Sequence, residues 1–315
     1  MILYTICGII PCVRAHGEKH MISKEIPRLA AVHDISGFGK ASLTVVLPVL
    51  SSMGIQVCPL PTALLSTQTD GFSGYVYRDL TEEMGAIIDH WSSLGLLFSC
   101  VYSGFLGSYR QTELVSGLIS RCADAHTLVV VDPVLGDDGE PYGPVDGSLI
   151  ARMKELASQA DVITPNVTEA ALLLDEPWRP LLTEEEVADW LCRLTEMGPS
   201  QAVLTGVPVK GRENLCGVYI RDSRSNRHWR TEHPYVPASY PGTGDLFASV
   251  MTGSILHGNS LPKAAFHAAE VVQAALRVSM ESEVPRREGI LLERVIPMIH
   301  ELPEHAEFEE LEVPL

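Results

Sequence analysis

The stretch Tyr-Pro-Gly-Thr-Gly-Asp-Leu-Phe-Ala at residues 240–248 leads from a glycine-rich turn into a helix. Apolar side chains recur in this helix at the spacing of one face, which predicts that it packs on a hydrophobic core: Leu246, Phe247, Val250, Met251 and Ile255. Backbone N–H groups at such a turn, reinforced by the helix dipole, attract an anion. We therefore predict an anion site at this turn.

Asp245 is an unexpected residue beside an anion hole. A carboxylate there repels a resting phosphate, but it can accept the proton of a hydroxyl group that attacks the phosphate. Alternatively, Asp245 only stabilises the positive N-terminus of the helix. Because short glycine motifs are common, this turn alone leaves both interpretations open.

Upstream of this turn, from Arg28 onward, short apolar runs alternate with longer helical patterns. This rhythm is typical of βαβ units, in which helices cover both faces of a mainly parallel sheet. We predict an α/β fold of three layers, α/β/α. The predicted strands are residues 29–33, 55–60, 97–102, 128–131, 162–164 and 202–205, and the predicted helices are residues 41–53, 82–94, 111–123, 148–158 and 184–197.

The chain is predicted to form one domain, residues 28–300, because no linker, repeat or low-complexity block interrupts it. Residues 215–220 and 227–231 predict a hairpin at the sheet edge, and the region from 241 to about 300 is predicted to be helical. Residues 1–27 are predicted to be a flexible N-terminal extension. Residues 301–315, which carry six Glu, are predicted to be a solvated acidic C-terminal tail.

The composition excludes several classes of function. The 315 residues are 46% hydrophobic and 20% charged, as in ordinary globular proteins. A net charge of −17 argues against nucleic acid or an anionic membrane as partner. The seven Cys are scattered without a Cys-x-x-Cys pair, which favours a reducing cytoplasm, and the uncharged opening stretch of 13 residues is too short to span a membrane. We expect a cytoplasmic protein.

Two further strand ends carry polar groups. Asn166 and Glu169 follow the strand predicted at 162–164, and Asp132 follows the strand at 128–131. In open α/β sheets, ligands bind at the carboxyl ends of the strands, and oxygen donors there suit Mg²⁺. The alternative is that Asn166 and Glu169 only cap a helix. The convergence of three such segments on one rim favours a binding site.

The combination of Asp-Pro-Val-Leu-Gly at 132–136, Ile-Thr-Pro-Asn-Val-Thr-Glu-Ala at 163–170 and Gly-Thr-Gly-Asp-Leu-Phe-Ala-Ser at 242–249 resembles the ribokinase-like superfamily. Three more segments, at 33–42, 58–62 and 102–108, resemble its vitamin B6 (pyridoxal/pyridoxamine) kinases. The resemblance covers about residues 28–280. It implies a three-layer ribokinase-like fold that transfers the γ-phosphate of ATP to the 5′-hydroxymethyl group of pyridoxal, pyridoxamine or pyridoxine.

The resemblance also implies roles for individual residues. Asp245 falls on the catalytic base, Gly242, Thr243 and Gly244 on the anion hole, and Glu169 on the acidic residue that organises Mg²⁺. Asp132 is expected to support the metal or the phosphates. The other residues expected near ATP are Tyr142, Thr164, Asn166, Thr205 and Gly206.

On the vitamer side, the resemblance places Asp34 where the family has a serine, with Ser36 beside it and Thr62 after the second strand. An ionised Asp favours a protonated ring nitrogen more than a serine does. Phe105 stands where some relatives have Tyr, which keeps stacking area but removes a hydroxyl. His33 is interpreted as a buried core histidine with satisfied ring nitrogens, and a functional role is the less favoured alternative. The turn-rich loop 136–144 is predicted to close as a lid.

The resemblance also implies a homodimer, and it leaves open whether a monovalent cation is required. Two alternatives remain: a hydroxymethylpyrimidine kinase, which usually has Cys at the position of Asp245, and a non-catalytic protein that binds a nucleotide or a vitamer. A sugar kinase of the same superfamily is disfavoured because residues 34–55 leave no room for an inserted lid.

Overall fold

The structure is a computed structural model that describes residues 26–208, 211–212, 214–300 and 306–311. The predicted N-terminal extension therefore falls almost entirely outside the described residues, as does most of the predicted tail. No helix within these ranges combines the length and the apolar composition needed to cross a bilayer.

One sheet organises the molecule, and each parallel strand is paired with strands that are distant in sequence. Its described strands are β1 (Arg28–Ser36), β2 (Gln56–Leu65), β3 (Tyr77–Asp79), β4 (Cys100–Ser103), β5 (Leu128–Val131), β8 (Val162–Ile163), β9 (Gln201–Val207), β10 (Leu215–Asp222), β11 (Arg227–Pro234) and β12 (Glu309–Leu311); β6 (Gly136–Asp137) and β7 (Glu140–Pro141) form a separate small hairpin. The order in the sheet is β12-β11-β10-β9-β8-β5-β4-β1-β2-β3. The six strands from β9 to β2 are parallel, and antiparallel pairings add β3 at one edge and β10, β11 and β12 in turn at the other.

Helices cover both faces of the sheet. They are α1 (Leu43–Ser52), α2 (Thr81–Ser93), α3 (Tyr109–Cys122), α4 (Gly147–Ala157), α5 (Val167–Leu174), α6 (Glu184–Glu196), α7 (Thr243–Leu256), α8 (Leu261–Glu281) and α9 (Leu292–Val295). Helices α2 to α6 pack on one face, and α1, α7, α8 and α9 pack on the other. Strand β1 serves both cores, since Ala30 and Val32 face the first and Leu29 and Ala31 face the second. The predicted three-layer α/β fold is confirmed.

The chain reverses its strand order between β1 and β4, because β2 lies on one side of β1 and β4 on the other. Such a switch point opens a crevice at the carboxyl ends of the strands. A β-bulge interrupts the pairing of β1 with β2 between His33 and Ile35. Bulges next to a crevice redirect side chains, so the fold places His33 and Asp34 at this opening.

Most predicted elements are present, with shifted ends. The strand predicted at 97–102 begins only at Cys100, because the N–H groups of Phe98 and Ser99 bond to the carbonyls of Cys122 and Arg28. The helix predicted at 41–53 begins at Leu43, because Ser42 has a φ of 53° that no right-handed helix allows. The helical region after residue 241 is divided among α7, α8 and α9.

The tail that we set apart as residues 301–315 contributes a strand. Glu309–Leu311 forms β12 and pairs antiparallel with β11. Arg227 donates to Glu310 and Arg230 to Glu309, so opposite charges lie across this pair. The six Glu of the tail gave no strand signal, because the pairing depends on these arginines of β11.

Candidate active site

The N-terminus of α7 lies at the switch-point crevice. Gly242 is its N-cap with a φ of 89°, and a Cβ there would lie 2.6 Å from the carbonyl oxygen of Lys40. At Gly244 an added Cβ would meet no atom within 4 Å, so the space in front of the first turn is open. Among the described residues, no side chain caps this helix. Within the part of the chain that the structure describes, the first backbone N–H groups of α7 are therefore left without a side-chain acceptor next to open space, where an anion could bind.

Asp245 lies in the first turn of α7 with 14% of its side chain exposed. Its Oδ2 accepts a 2.7 Å hydrogen bond from the backbone N–H of Ser42. Burial raises the pKa of Asp245 to about 6, helped by the charge of Asp34 and opposed by the Ser42 hydrogen bond. A carboxyl group with this pKa is ionised at neutral pH and still basic enough to take a proton.

Asp34 is buried at the bulge of β1, and both its oxygens accept hydroxyl hydrogen bonds. Ser42 Oγ donates to Oδ1 at 2.5 Å, and Ser36 Oγ donates to Oδ2 at 3.2 Å. Burial raises the pKa of Asp34, while these two hydroxyls act against the rise. Asp34 thus holds Ser42 by its side chain, while the backbone of Ser42 holds Asp245.

Asp132 and Glu169 form the second acidic part of the crevice. Thr164 Oγ1 donates to Asp132 Oδ1 at 3.0 Å. The pKa of Asp132 rises to about 7, first because of burial and then because of the charge of Asp245. The pKa of Glu169 also rises, through burial and the charge of Asp132. These carboxylates are close enough to repel one another, which a bound cation would relieve.

Glu169 also makes the predicted helix cap. It completes a capping box with Asn166, in which Asn166 Oδ1 accepts from the N–H of Glu169 at 2.9 Å and Glu169 Oε2 accepts from the N–H of Asn166 at 2.8 Å. Glu169 Oε1 accepts from the N–H of Leu135 at 3.2 Å. The capping interpretation is therefore correct, and the lone pairs that remain leave room for a further role.

The donor set suits Mg²⁺ but supplies few protein ligands. Asp132 and Glu169 offer carboxylate oxygens, the ligands that Mg²⁺ prefers. Within the described ranges, no group of three or more His, Cys, Asp and Glu has the spacing of a complete metal cage. An ion held by one or two carboxylates, with phosphates and water completing its shell, fits this arrangement.

The first part of the loop at 136–144 folds as a hairpin of β6 and β7 next to the start of α5. Asn166 Nδ2 donates to the carbonyl of Gly136 at 2.9 Å, and the N–H of Gly139 donates to Thr168 Oγ1 at 2.9 Å. Tyr142 follows the hairpin, and its pKa is raised by burial and then by the charge of Glu169. The predicted lid loop is thus attached at its base to the start of α5.

The remaining residues predicted near ATP lie beside α5. Thr205 pairs with Asn166 through a parallel bridge between β9 and the start of α5. Gly206 has a φ of 65°, and a Cβ there would meet no atom within 4 Å. Thr205 and Gly206 therefore border open space next to Asn166.

Thr62 and Phe105 lie on the opposite side, near β3. Thr62 is fully buried, and its hydroxyl donates to the carbonyl of Phe105 at 3.2 Å. The sequence analysis missed Tyr77, whose hydroxyl lies 2.6 Å from where a Cβ on Gly107 would stand. Partial burial raises the pKa of Tyr77, and the charges of Asp79 and then Asp34 add to the rise. It also missed Ser42, because nothing in the sequence of the loop from Gly39 to Ser42 indicates that the N–H of Ser42 reaches α7.

The chain is similar in sequence to known kinases. The sequence profile of the phosphomethylpyrimidine kinase family matches residues 49–289. A pyridoxine/pyridoxal/pyridoxamine kinase from Bordetella avium is 30% identical over 72% of this chain and 77% of its own length. A pyridoxal kinase from Arabidopsis thaliana is 27% identical over 79% of this chain and 80% of its own length.

Solved structures extend the likeness. A Bacteroides thetaiotaomicron protein assigned as a phosphomethylpyrimidine kinase, crystallised with pyridoxal, is 44% identical, has a TM-score of 0.88, and matches over 91% of this chain and all of its own. Pyridoxal kinase from Lactobacillus plantarum is 30% identical with a TM-score of 0.81, over 88% of this chain and 98% of its own. The chain therefore belongs to the phosphomethylpyrimidine kinase family of the ribokinase-like superfamily, and its resemblance to the vitamin B6 kinases of that group is confirmed.

Proposed function

We propose that this enzyme transfers the γ-phosphate of ATP to the 5′-hydroxymethyl group of pyridoxal, pyridoxamine or pyridoxine. The observation that carries the proposal is Asp245, a largely buried carboxylate held by Ser42 beside the open first turn of α7. The pyridoxal in the crystal of the 44% identical Bacteroides thetaiotaomicron protein supports the choice of substrate class.

Asp245 acts as the general base in this proposal. With a pKa of about 6 it is ionised at neutral pH and accepts the proton of the 5′-hydroxyl as the oxygen attacks the γ-phosphorus. The new O–P bond forms while the bond from the γ-phosphorus to the bridging oxygen breaks, and ADP leaves. Phosphoryl transfer depends mainly on positioning and charge stabilisation, which the N–H groups of Gly242, Thr243 and Gly244 supply to the phosphate oxygens.

Asp132 and Glu169 would hold Mg²⁺ near the phosphates. When bound, the ion neutralises phosphate charge, and it also offsets the nearby negative charge of Asp245, which adds to burial in raising the pKa of Asp132. Thr164 keeps Asp132 oriented, and the capping box keeps Glu169 in place.

The other substrate contacts follow the two sides of the crevice. Asn166, Thr205, Gly206 and Tyr142 border the nucleotide side, and the hairpin 136–141 excludes water when it closes. Asp34 and Ser36 contribute to the vitamer side, which Thr62 and Phe105 extend toward β3. Tyr77, close to Gly107, supplies the phenolic hydroxyl that Phe105 lacks.

A second substrate has some support. The family profile is that of phosphomethylpyrimidine kinase, and the 44% identical relative is assigned to the same activity. Hydroxymethylpyrimidine has a ring of similar size and the same kind of hydroxymethyl acceptor. Asp245, where hydroxymethylpyrimidine kinases usually have Cys, favours the B6 vitamers.

The test is a phosphorylation panel of pyridoxal, pyridoxamine, pyridoxine and hydroxymethylpyrimidine with MgATP, followed by mass detection of the monophosphates. We expect at least one B6 vitamer to have a kcat/KM well above that of hydroxymethylpyrimidine. Preference for hydroxymethylpyrimidine would establish the second candidate. ATP hydrolysis without phosphorylation of any of the four would contradict both, and binding without turnover would indicate a non-catalytic protein.

Two other expectations keep their status as predictions. They are a homodimer, which light scattering tests, and a cytoplasmic location, which fractionation tests. Activity in K⁺ and in tetramethylammonium buffers tests whether a monovalent cation is required.

A further inference from the structure

His33 is a buried histidine for which the proposed mechanism has no role. It lies on β1 with 0% of its surface exposed, on the face of the strand that is turned toward α7. Neither ring nitrogen has a hydrogen-bond partner among the described residues. Leaving such a buried polar group unpaired is costly, so its position calls for an explanation.

The nearest charged atom to this ring belongs to the base. His33 Nδ1 lies 3.8 Å from Asp245 Oδ1, the oxygen opposite the one that Ser42 holds. This distance is about 1 Å longer than a hydrogen bond. Catalytic hydrogen bonds are often long without substrate and shorten when the substrate complex forms.

The surroundings fix the ring in this place. Tyr102 packs edge-on against it with 4.4 Å between the ring centroids. Gly104 lies so close that an added Cβ would stand 2.3 Å from His33 Nδ1. Glycine at 104 thus leaves the room that the imidazole needs. Its backbone conformation does not require glycine, because its φ is not in the left-handed region.

The charge state of the ring determines which groups can pair. Burial lowers the pKa of His33 to about 3, so the imidazole is neutral at physiological pH and carries a single N–H. An ionised Asp245 oxygen facing a nitrogen lone pair would be repelled. The tautomer with the proton on Nδ1 turns this repulsion into attraction.

We propose that His33 is a positioning residue that donates its Nδ1–H to Asp245 Oδ1 and orients the base in the substrate complex. The inference rests on the proposed function, because it assigns His33 to the same site. With Ser42 on one oxygen and His33 on the other, the carboxylate cannot rotate away from the attacking hydroxyl.

Asn and Leu give a matched pair of variants, since they have nearly the same shape and only Asn can donate from the δ position. We expect His33→Leu to lower kcat about 10- to 100-fold, as loss of a hydrogen bond to a charged group would. The KM values for vitamer and MgATP should stay within about threefold. The kcat of His33→Asn should be about tenfold higher than that of His33→Leu. Equal kcat in both variants, or a loss confined to KM, would overturn the proposal.

A measurement without turnover keeps this inference separable from the proposed function. In the wild-type protein, ¹⁵N NMR of the histidine rings should show His33 protonated on Nδ1, and Asp245→Asn should shift that signal. Protonation on Nε2 alone would contradict the inference even if the vitamers are phosphorylated. Failure of all vitamers in the activity panel, with the Nδ1–H signal present and sensitive to Asp245→Asn, would contradict only the proposed function. If His33→Leu does not fold, the spectrum and His33→Asn still decide.

Discussion

The backbone N–H of Ser42 donates a 2.7 Å hydrogen bond to Asp245 Oδ2, across 203 positions of sequence. Ser42 achieves this with a φ of 53° and a ψ of −131°, a conformation that costs about 1–3 kcal/mol in a non-glycine residue. Its hydroxyl bond to Asp34 helps to offset that cost. The loop before α1 and the first turn of α7 are thus joined at the atom that the proposed chemistry uses.

Asp245→Asn should lower kcat about 10²- to 10⁴-fold, because the amide keeps the shape of the side chain and loses its basicity. MgATP affinity, measured by calorimetry, should be unchanged or tighter, since a negative charge near the γ-phosphate is removed. In the wild-type enzyme, kcat/KM should decrease as the pH is lowered through about 6. Burial raises the pKa of Asp245 to about this value, so the base becomes protonated there. Near wild-type kcat in Asp245→Asn on every vitamer would exclude Asp245 as the base.

Asp34→Ala and Ser42→Ala together separate two roles of Asp34. Ser42→Ala removes only the hydroxyl bond, so it should lower kcat about tenfold, as the N–H that holds Asp245 loses its anchor. Asp34→Ala should show this loss and also raise the KM for vitamer about tenfold, with the KM for ATP unchanged. Identical kinetic profiles in the two variants would mean that Asp34 acts only through Ser42 and does not contact the ring.

The sequence predicted the layers well because they depend on patterns that are local. Val129 and Val131 face one core and Val130 the other, so the run at 128–131 reads as a strand buried on both faces. Thr183 and Glu186, spaced as a capping box, likewise mark the start of α6, and the structure contains that box. Each signal lies within a few residues of the element that it predicts.

The contacts that join distant segments left no such signal. The Ser42 bond to Asp245 and the approach of His33 to Gly104 depend on how β1, β4 and α7 meet, and no spacing along the chain encodes them. β12 is another example, since its pairing depends on Arg227 and Arg230 of β11. Motifs therefore identified residues of the rim, and the structure was needed to show how they hold one another.

Glu169→Gln tests the metal assignment and the lid together. The concentration of Mg²⁺ that gives half-maximal rate should rise about tenfold, because one negative charge near the phosphates is lost. Gln can still cap Asn166, but its amide then faces the N–H of Leu135, which should loosen the base of the hairpin. Hydrogen exchange at residues 135–141 measures that loosening. Faster exchange with an unchanged Mg²⁺ curve would limit Glu169 to the structural role.

Gly244→Ala should block the anion hole without disturbing the fold. Its methyl group would enter open space in front of the first turn of α7, where the phosphate is proposed to lie. Gly147→Ala is the matched control, since Gly147 also stands in the first turn of a helix and its added Cβ also meets no atom within 4 Å. We expect kcat/KM for MgATP to fall at least about tenfold in Gly244→Ala alone, with similar Tm values for both variants. Equal activity would place the phosphate elsewhere.

Asp132→Asn should reveal the cost of the buried carboxylate as a pH-dependent gain in stability. The pKa of Asp132 is raised to about 7 in the folded protein, first by burial, so between about pH 4 and pH 7 the folded state binds more protons at this site than the unfolded state. The contribution of Asp132 to the free energy of unfolding therefore falls as the pH rises through this window. Asn does not titrate and avoids that loss.

Without Mg²⁺ and nucleotide, the Tm of Asp132→Asn minus that of the wild type should be several degrees more positive at pH 8 than at pH 5, since each kcal/mol changes Tm by about 2–4 °C in larger domains. The buried histidines, including His33 with its pKa lowered to about 3, titrate in both proteins and cancel in this difference. Asp175→Asn, whose carboxylate is 83% exposed, controls for the loss of one negative charge. Saturating Mg²⁺ with an ATP analogue should shrink the gain at pH 8, because a cation bound by both Asp132 and Glu169 stabilises the wild type more than the variant. A difference in Tm that is equal at both pH values would show that the Asp132 carboxylate is not destabilised by its burial, and would remove the electrostatic argument for a cation beside it.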